Sequence, residues 1–233
     1  MLLDEIVSKL HKFEPVSIVL YGSRARNDFL PESDHEIALL YTSRKDVTWA
    51  DIKRYVNQPG FDIYPFNYDN FLKGSFDSPF QKTIYKRELI DAGKTLYGED
   101  IQKLPTPSIK MLDLIEDLRF NSGYALASLI SLRNGDKQTS SQLFYKSCLF
   151  SARSPIMIET GKFPYTYNEI LNLSREICLD EFQESIERAY SKRKNRFFVE
   201  AKEIIKLISE INNFLEPTIK RKYETEGDVI VIK

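Results

Sequence analysis

Two apolar runs, Val16–Tyr21 and Ile37–Tyr41, bracket a polar segment that opens with Gly22-Ser23 and closes with Ser33-Asp34-His35-Glu36. Aliphatic and aromatic runs of this length, bounded by turn residues, read as buried strands. Side chains two apart in a strand share a face, so Asp34 and Glu36 point together while His35, Ile37 and Leu39 point the other way. Paired carboxylates at the start of a strand invite a divalent cation. A Gly-Ser turn can offer backbone N–H groups to phosphate oxygens, because glycine lets the backbone approach closely. The combination describes a site for a metal-bound nucleoside triphosphate.

The flanking sequence alternates helix and strand. Leu2, Leu3, Ile6, Val7 and Leu10 recur at helical spacing over residues 2–13, and the next helix starts just after Ser23. A third helix is expected over Thr48–Val56, with Trp49, Ile52 and Val56 on one side, and Phe61-Asp62-Ile63-Tyr64-Pro65-Phe66 is a short β-prone run. Alternation of this kind gives a small α/β (α+β) domain. At Leu104-Pro105-Thr106-Pro107 the prolines oppose continued structure, which sets a domain boundary at 1–104 and 105–233 and permits a helix start with Thr106 as cap.

Beyond it the pattern is helical. A stripe from Met111 to Leu132 stops at Asn134-Gly135, and a second helix is expected from Ser140 to Glu159, ending at Gly161 with a kink at Pro155. Thr166 with Glu169 and Asp180 with Gln183 read as capping boxes of two more helices. A fifth places Phe197, Ala201, Ile204, Ile208, Ile211 and Leu215 on one face before Pro217 stops it. Five helices without strands make an all-α bundle. Asp228–Lys233 is β-prone and reads either as a strand on a sheet edge or as a tail.

Composition narrows the partners. With 33 basic against 34 acidic residues the net charge is −1, which argues against a sequence-independent grip on nucleic acid. The basic clusters Lys192–Arg196 and Lys220–Lys222 read as solvated helix ends and tail. Cys148 and Cys178 belong to no Cys-x-x-Cys or Cys-His cluster, so zinc and disulfides are not expected. No apolar run approaches the ~20 residues needed to cross a bilayer. The acidic, amphipathic start Met1–Ile6 is unlike a signal peptide, so a cytoplasmic protein is expected.

Gly22-Ser23, ten intervening residues and Asp34-x-Glu36 resemble the signature of the DNA polymerase β-type nucleotidyltransferase superfamily. Phe80–Gly98 resembles the closing helix and strand of its minimal bacterial and archaeal members. The resemblance covers roughly residues 1–100 and implies that Asp34 and Glu36 hold Mg²⁺. It also implies that Asp62, on a neighbouring strand, completes the metal site or activates the attacking hydroxyl. Glu36 replaces the commoner Asp, as in kanamycin nucleotidyltransferase and its relatives, and Asn27 stands where many minimal members have Gly. Asn tolerates a left-handed backbone better than other non-Gly residues.

The order of domains is similar to the antibiotic nucleotidyltransferases and to minimal nucleotidyltransferases paired or fused with a HEPN bundle. The only histidines, His11 and His35, lie in the first domain, which argues against HEPN ribonuclease chemistry. The expected activity is Mg²⁺-dependent transfer of a nucleoside monophosphate, with ATP the expected donor, to a hydroxyl of a small molecule bound between the domains. Gly22 and Ser23 would cradle the phosphates, Arg24 and Arg26 are candidate triphosphate contacts, and Glu159 is a candidate base from the bundle. The alternatives are AMP transfer to a protein hydroxyl, as in toxin-neutralising relatives, and a lapsed nucleotide-binding module. The sequence leaves a homodimer open.

Overall fold

The computed structural model describes residues 2–42, 46–78, 80–177 and 179–233, without the side chains of Asp180 and Glu181. Cys178 and the Asp180 half of its capping box lie outside the described residues. The chain divides into two compact units, residues 1–107 and 108–233. Among the described residues no helix is long and apolar enough to cross a membrane.

The first unit runs α1 (Leu2–Leu10), a 3₁₀ turn, β1 (Pro15–Tyr21), α2 (Gly22–Ala25), β2 (His35–Tyr41), α3 (Trp49–Tyr55), β3 (Phe61–Asn67), α4 (Tyr68–Lys73), α5 (Lys82–Ala92) and β4 (Lys94–Gly98). The sheet order is β3-β2-β1-β4, with β1 antiparallel to β2 and β4, and β2 parallel to β3. Alternation along the strands produces two apolar faces. Ile18, Leu20, Ile37, Leu39 and Ile63 pack with Ile6 and Leu10 of α1 and with Ile52 of α3. Val19, Tyr21, Ala38, Leu40 and Phe66 pack with Phe71 of α4 and with Tyr85, Leu89 and Ile90 of α5. Pro65 is accommodated because β3 is an edge strand, where a missing N–H leaves no ladder bond unmade. A reciprocal cap between Thr48 and Asp51 starts α3, but Trp49 on its first turn is 46% exposed rather than part of the packed stripe.

The second unit runs β5 (Ile109–Lys110), α6 (Met111–Arg133), α7 (Lys137–Thr160), α8 (Tyr167–Ile177), α9 (Asp180–Asn195), α10 (Ala201–Glu210), a π-helical turn (Ile211–Leu215), α11 (Glu216–Glu226) and β6 (Ile230–Ile232). Gly161 ends α7 in the left-handed conformation, and Thr166 and Glu169 cap α8 reciprocally. A buried polar seam joins α6 to α7: Asp117 lies 3.5 Å from Arg153, Asn121 donates to Asp117, and Ser147 donates to the Asn121 carbonyl.

Further expectations are corrected. Helix α6 starts at Met111 and not near Thr106, whose hydroxyl donates to Asp91 instead. The Lys110 and Leu112 amides donate to Asp113 and Asp228, which cap the helix at this later point. Pro217 does not end the last helix. The π turn shifts the hydrogen-bond register so that Pro217 falls in the first turn of α11, where its missing N–H costs least. Phe197 stands outside the helix and is 61% exposed, because Glu203 caps the Glu200 amide and α10 begins after it. Finally, the second unit contains strands: the C-terminal segment forms β6, antiparallel to β5, and Ile232 is buried. Helix α7 runs unbroken through Pro155.

Candidate active site

The carboxylates are brought together by strand register. Glu36 is the direct neighbour of Asp62 in the parallel β2–β3 pair and of Tyr21 in the antiparallel β1–β2 pair. Paired residues project from the same face. Asp34, two residues before Glu36, lies just ahead of the first residue of β2. The face is the one covered by α4 and α5. Asp34 is exposed, whereas Glu36 and Asp62 are half-buried.

The Gly-Ser turn is fitted against this row. Gly22 has φ +70°, and a Cβ placed on it would fall on Glu36 Oε2 and 2.7 Å from Cδ. Any side chain here would hold an L-residue in the left-handed region and require the Glu36 carboxylate to move. Asn27 takes the left-handed conformation, φ 58°, as its short polar side chain permits.

The two arginines are engaged by the protein itself. Arg24 Nε donates to the Ser33 carbonyl at 2.8 Å, its Nη2 donates to the Pro31 carbonyl at 3.3 Å, and its guanidinium lies 4.8 Å from the Phe29 ring centroid. It thereby ties down the loop that delivers Asp34. Arg26 is 3.6 Å from Glu88 and its side chain is 6% exposed, so it pins the end of α2 to α5. His35 stacks on Phe61 at 4.5 Å, on the opposite side of the strand from the carboxylates. Burial, and then the nearby Arg24 charge, hold its pKa below the usual histidine value. Glu159 belongs to the second unit. It is exposed near the end of α7, with Lys222 3.7 Å away.

Beneath the carboxylates the structure places residues that the motif does not announce. Tyr21 and Tyr85 are each 3% exposed, and their rings meet edge to face at 5.2 Å. Burial pushes the Tyr21 hydroxyl well above its ordinary range, with Tyr85 and Glu36 adding to the effect. Burial does the same for Tyr85, outweighing the lowering influence of the Tyr21 hydroxyl. Tyr64 follows Asp62 by two residues on the same face and packs against this cluster. Only alternation from Val19 to Tyr21 hinted that Tyr21 shares the face of Glu36; nothing in the sequence brought Tyr85 there.

Residues 1–90 match the family model of the nucleotidyltransferase domain. The first unit is a nucleotidyltransferase domain. The fold of the chain is similar to spectinomycin adenyltransferase AAD(9) from Enterococcus faecialis, solved with ATP and spectinomycin. The TM-score is 0.58 at 15% identity, over 91% of this chain and 99% of that one. No protein of curated function matches the sequence. The nucleotidyltransferase domain therefore carries its Gly-Ser turn on β1 and its acidic row on β2 and β3, followed by a mostly helical region as in the adenyltransferase fold.

Among the described residues no three His, Cys, Asp or Glu side chains converge into a closed metal cluster. The donor set nonetheless suits Mg²⁺, a hard cation that is commonly held by one or two carboxylates and completed by substrate phosphates. Glu36 and Asp62 side by side, with Asp34 exposed at the strand mouth, are donors of that kind.

Proposed function

We propose that this protein transfers a nucleoside monophosphate from ATP to a hydroxyl of a small molecule. The observation that carries the reading is the register that sets Glu36 beside Asp62 while Gly22 closes against Glu36. Asp34, Glu36 and Asp62 would hold Mg²⁺, which would neutralise charge developing on the phosphate oxygens. The Gly22-Ser23 backbone faces the outer phosphates, and Arg24 and Arg26 hold the surrounding loop in place for it.

The acceptor oxygen attacks the α-phosphorus, the bond from that phosphorus to the bridging α–β oxygen breaks, and pyrophosphate leaves with the bond electrons. The hydroxyl proton passes to a carboxylate, for which Asp62 is our assignment. Most of the rate enhancement then comes from alignment and charge neutralisation. A small-molecule acceptor is favoured over a protein because the structural relative, with a similar two-part fold, was solved with spectinomycin and ATP.

Titration calorimetry with ATP, GTP, CTP and UTP in Mg²⁺ tests the nucleotide half of the reading, on wild type and Asp34→Ala. Metal-dependent binding that Asp34→Ala removes is the expected result. Pyrophosphate release in the presence of hydroxylated antibiotics and metabolites tests the acceptor half. Silence across the panel, with an adenylyl mass increment on lysate proteins, would transfer the assignment to a protein acceptor.

A further inference from the structure

We infer that the loop after α9 is a docking surface for an anionic lipid bilayer. Phe197 and Phe198 enter the membrane interface, and the basic residues that precede them meet the headgroups.

Phe197 and Phe198 are the most exposed large apolar side chains among the described residues, at 61% and 58%. The backbone that carries them is nevertheless pinned. The Phe197 amide donates to the Lys192 carbonyl, and the Phe197 carbonyl accepts from the Tyr145 hydroxyl of α7. Lys192 Nζ donates to the Phe198 carbonyl, and the next residue, the buried Val199, donates its amide to Ser141 Oγ. Arg196 turns the chain out of α9 in the left-handed conformation, φ 58°. The rings are held out on a fixed support, so docking them orders little further backbone. Apolar surface displayed in this way is favourable to bury and marks an interaction site.

Charge selects the partner. Residues 188–199 contain five basic and no acidic side chains, in a chain whose net charge is −1. Lys192 is offset by Glu203 at 3.3 Å, whereas Lys194 and Arg196, immediately before the rings, are exposed. A Lys and Arg cluster attracts anionic headgroups, and rings at interfacial depth add the second signal that membrane attachment requires. A single-stranded nucleic acid fits less well. Its phosphates call for a cationic groove that follows the backbone, and this patch is about one helical turn long.

The test sediments the full chain with vesicles of phosphatidylglycerol and phosphatidylcholine, and with vesicles of phosphatidylcholine alone, in low and in high salt. The variants are Phe197→Ser with Phe198→Ser, and Lys194→Ala with Arg196→Asn, since Asn tolerates the left-handed backbone. The four side chains are exposed and the loop is held through its main chain, so Tm should stay as in wild type. Wild type should bind the anionic vesicles, bind the neutral ones far more weakly, and be released as salt screens the charges. Each double variant should lose affinity for the anionic vesicles by about tenfold or more. Wild type that stays in solution with anionic vesicles overturns the inference, and so does binding that survives in both variants. Binding of a fluorescent RNA oligonucleotide that the variants lose, without vesicle binding, would give the surface to nucleic acid. Self-association that the Phe variant loses, without vesicle binding, would give it to a second copy of the chain. Either result overturns the inference.

Discussion

Gly22 lies so close to Glu36 that a methyl group on its Cα would occupy the position of the Glu36 carboxylate oxygen Oε2. The turn after β1 and the acidic strand β2 are therefore fitted to one another through a residue with no side chain. Gly22→Ala would bring an L-residue into the left-handed region, at about 1–2 kcal/mol, and would displace Glu36 as well. The variant is expected to lose Mg²⁺-dependent nucleotide binding in calorimetry, with a lowered Tm. Retained binding would show that the close approach is incidental to the site.

The seam between α6 and α7 rests on an ion pair buried on both sides, Asp117 at 4% and Arg153 at 6% side-chain exposure. Replacing Asp117 by Leu removes a carboxylate from beside a guanidinium that stays in the core, and should cost about 3–5 kcal/mol in urea unfolding. The double variant Asp117→Leu with Arg153→Met removes both charges and should recover most of that loss. A double variant no more stable than the single one would assign the cost to packing.

Both ends of the second unit meet in the β5–β6 ribbon. Asp228 Oδ1 accepts from the Leu112 amide at 3.0 Å, and Ile232 is 4% exposed. Truncation after Gly227 removes a helix cap and a buried aliphatic side chain, for an expected loss of about 2–4 kcal/mol. Thermal unfolding of the truncated chain checks this, and an unmoved transition would show that the ribbon adds nothing to stability.

Glu210 is 8% exposed, and burial holds its pKa above the ordinary value of 4.5, although Lys206 Nζ is 3.5 Å away. A carboxyl that is a weaker acid in the native state binds its proton more readily there than in the unfolded chain. Its contribution is then fully present below the unfolded pKa and is lost as pH rises through the folded one. Glu210→Gln should raise Tm by about 2–4 °C near neutral pH, and the advantage should vanish near pH 4. A difference that does not depend on pH would place the effect in packing and not in charge.

Much of this molecule is written locally. Strand alternation announced both faces of the sheet, and the spacing of Gly22, Ser23, Asp34 and Glu36 announced a nucleotidyltransferase domain, because a turn and two side chains on one strand are set by neighbours in sequence. The helix boundaries that failed were those decided at a distance. Met111 begins α6 because Asp228, 116 residues beyond Leu112, caps the Leu112 amide. Pro217 passes because a π turn ahead of it changed the hydrogen-bond register. Periodicity contains neither fact.

The acidic row divides in the same way. The sequence placed Asp34 and Glu36 two apart at the mouth of one strand, and β2 begins between them at His35. That Asp62 stands beside Glu36, that Tyr21 and Tyr85 lie beneath it, and that Arg24 and Arg26 are turned to loop carbonyls and to Glu88 was decided only in three dimensions. Register between strands and packing between a strand and a helix depend on which surfaces meet when the chain closes. A parallel pair such as β2–β3 has no hairpin turn to set that register in advance.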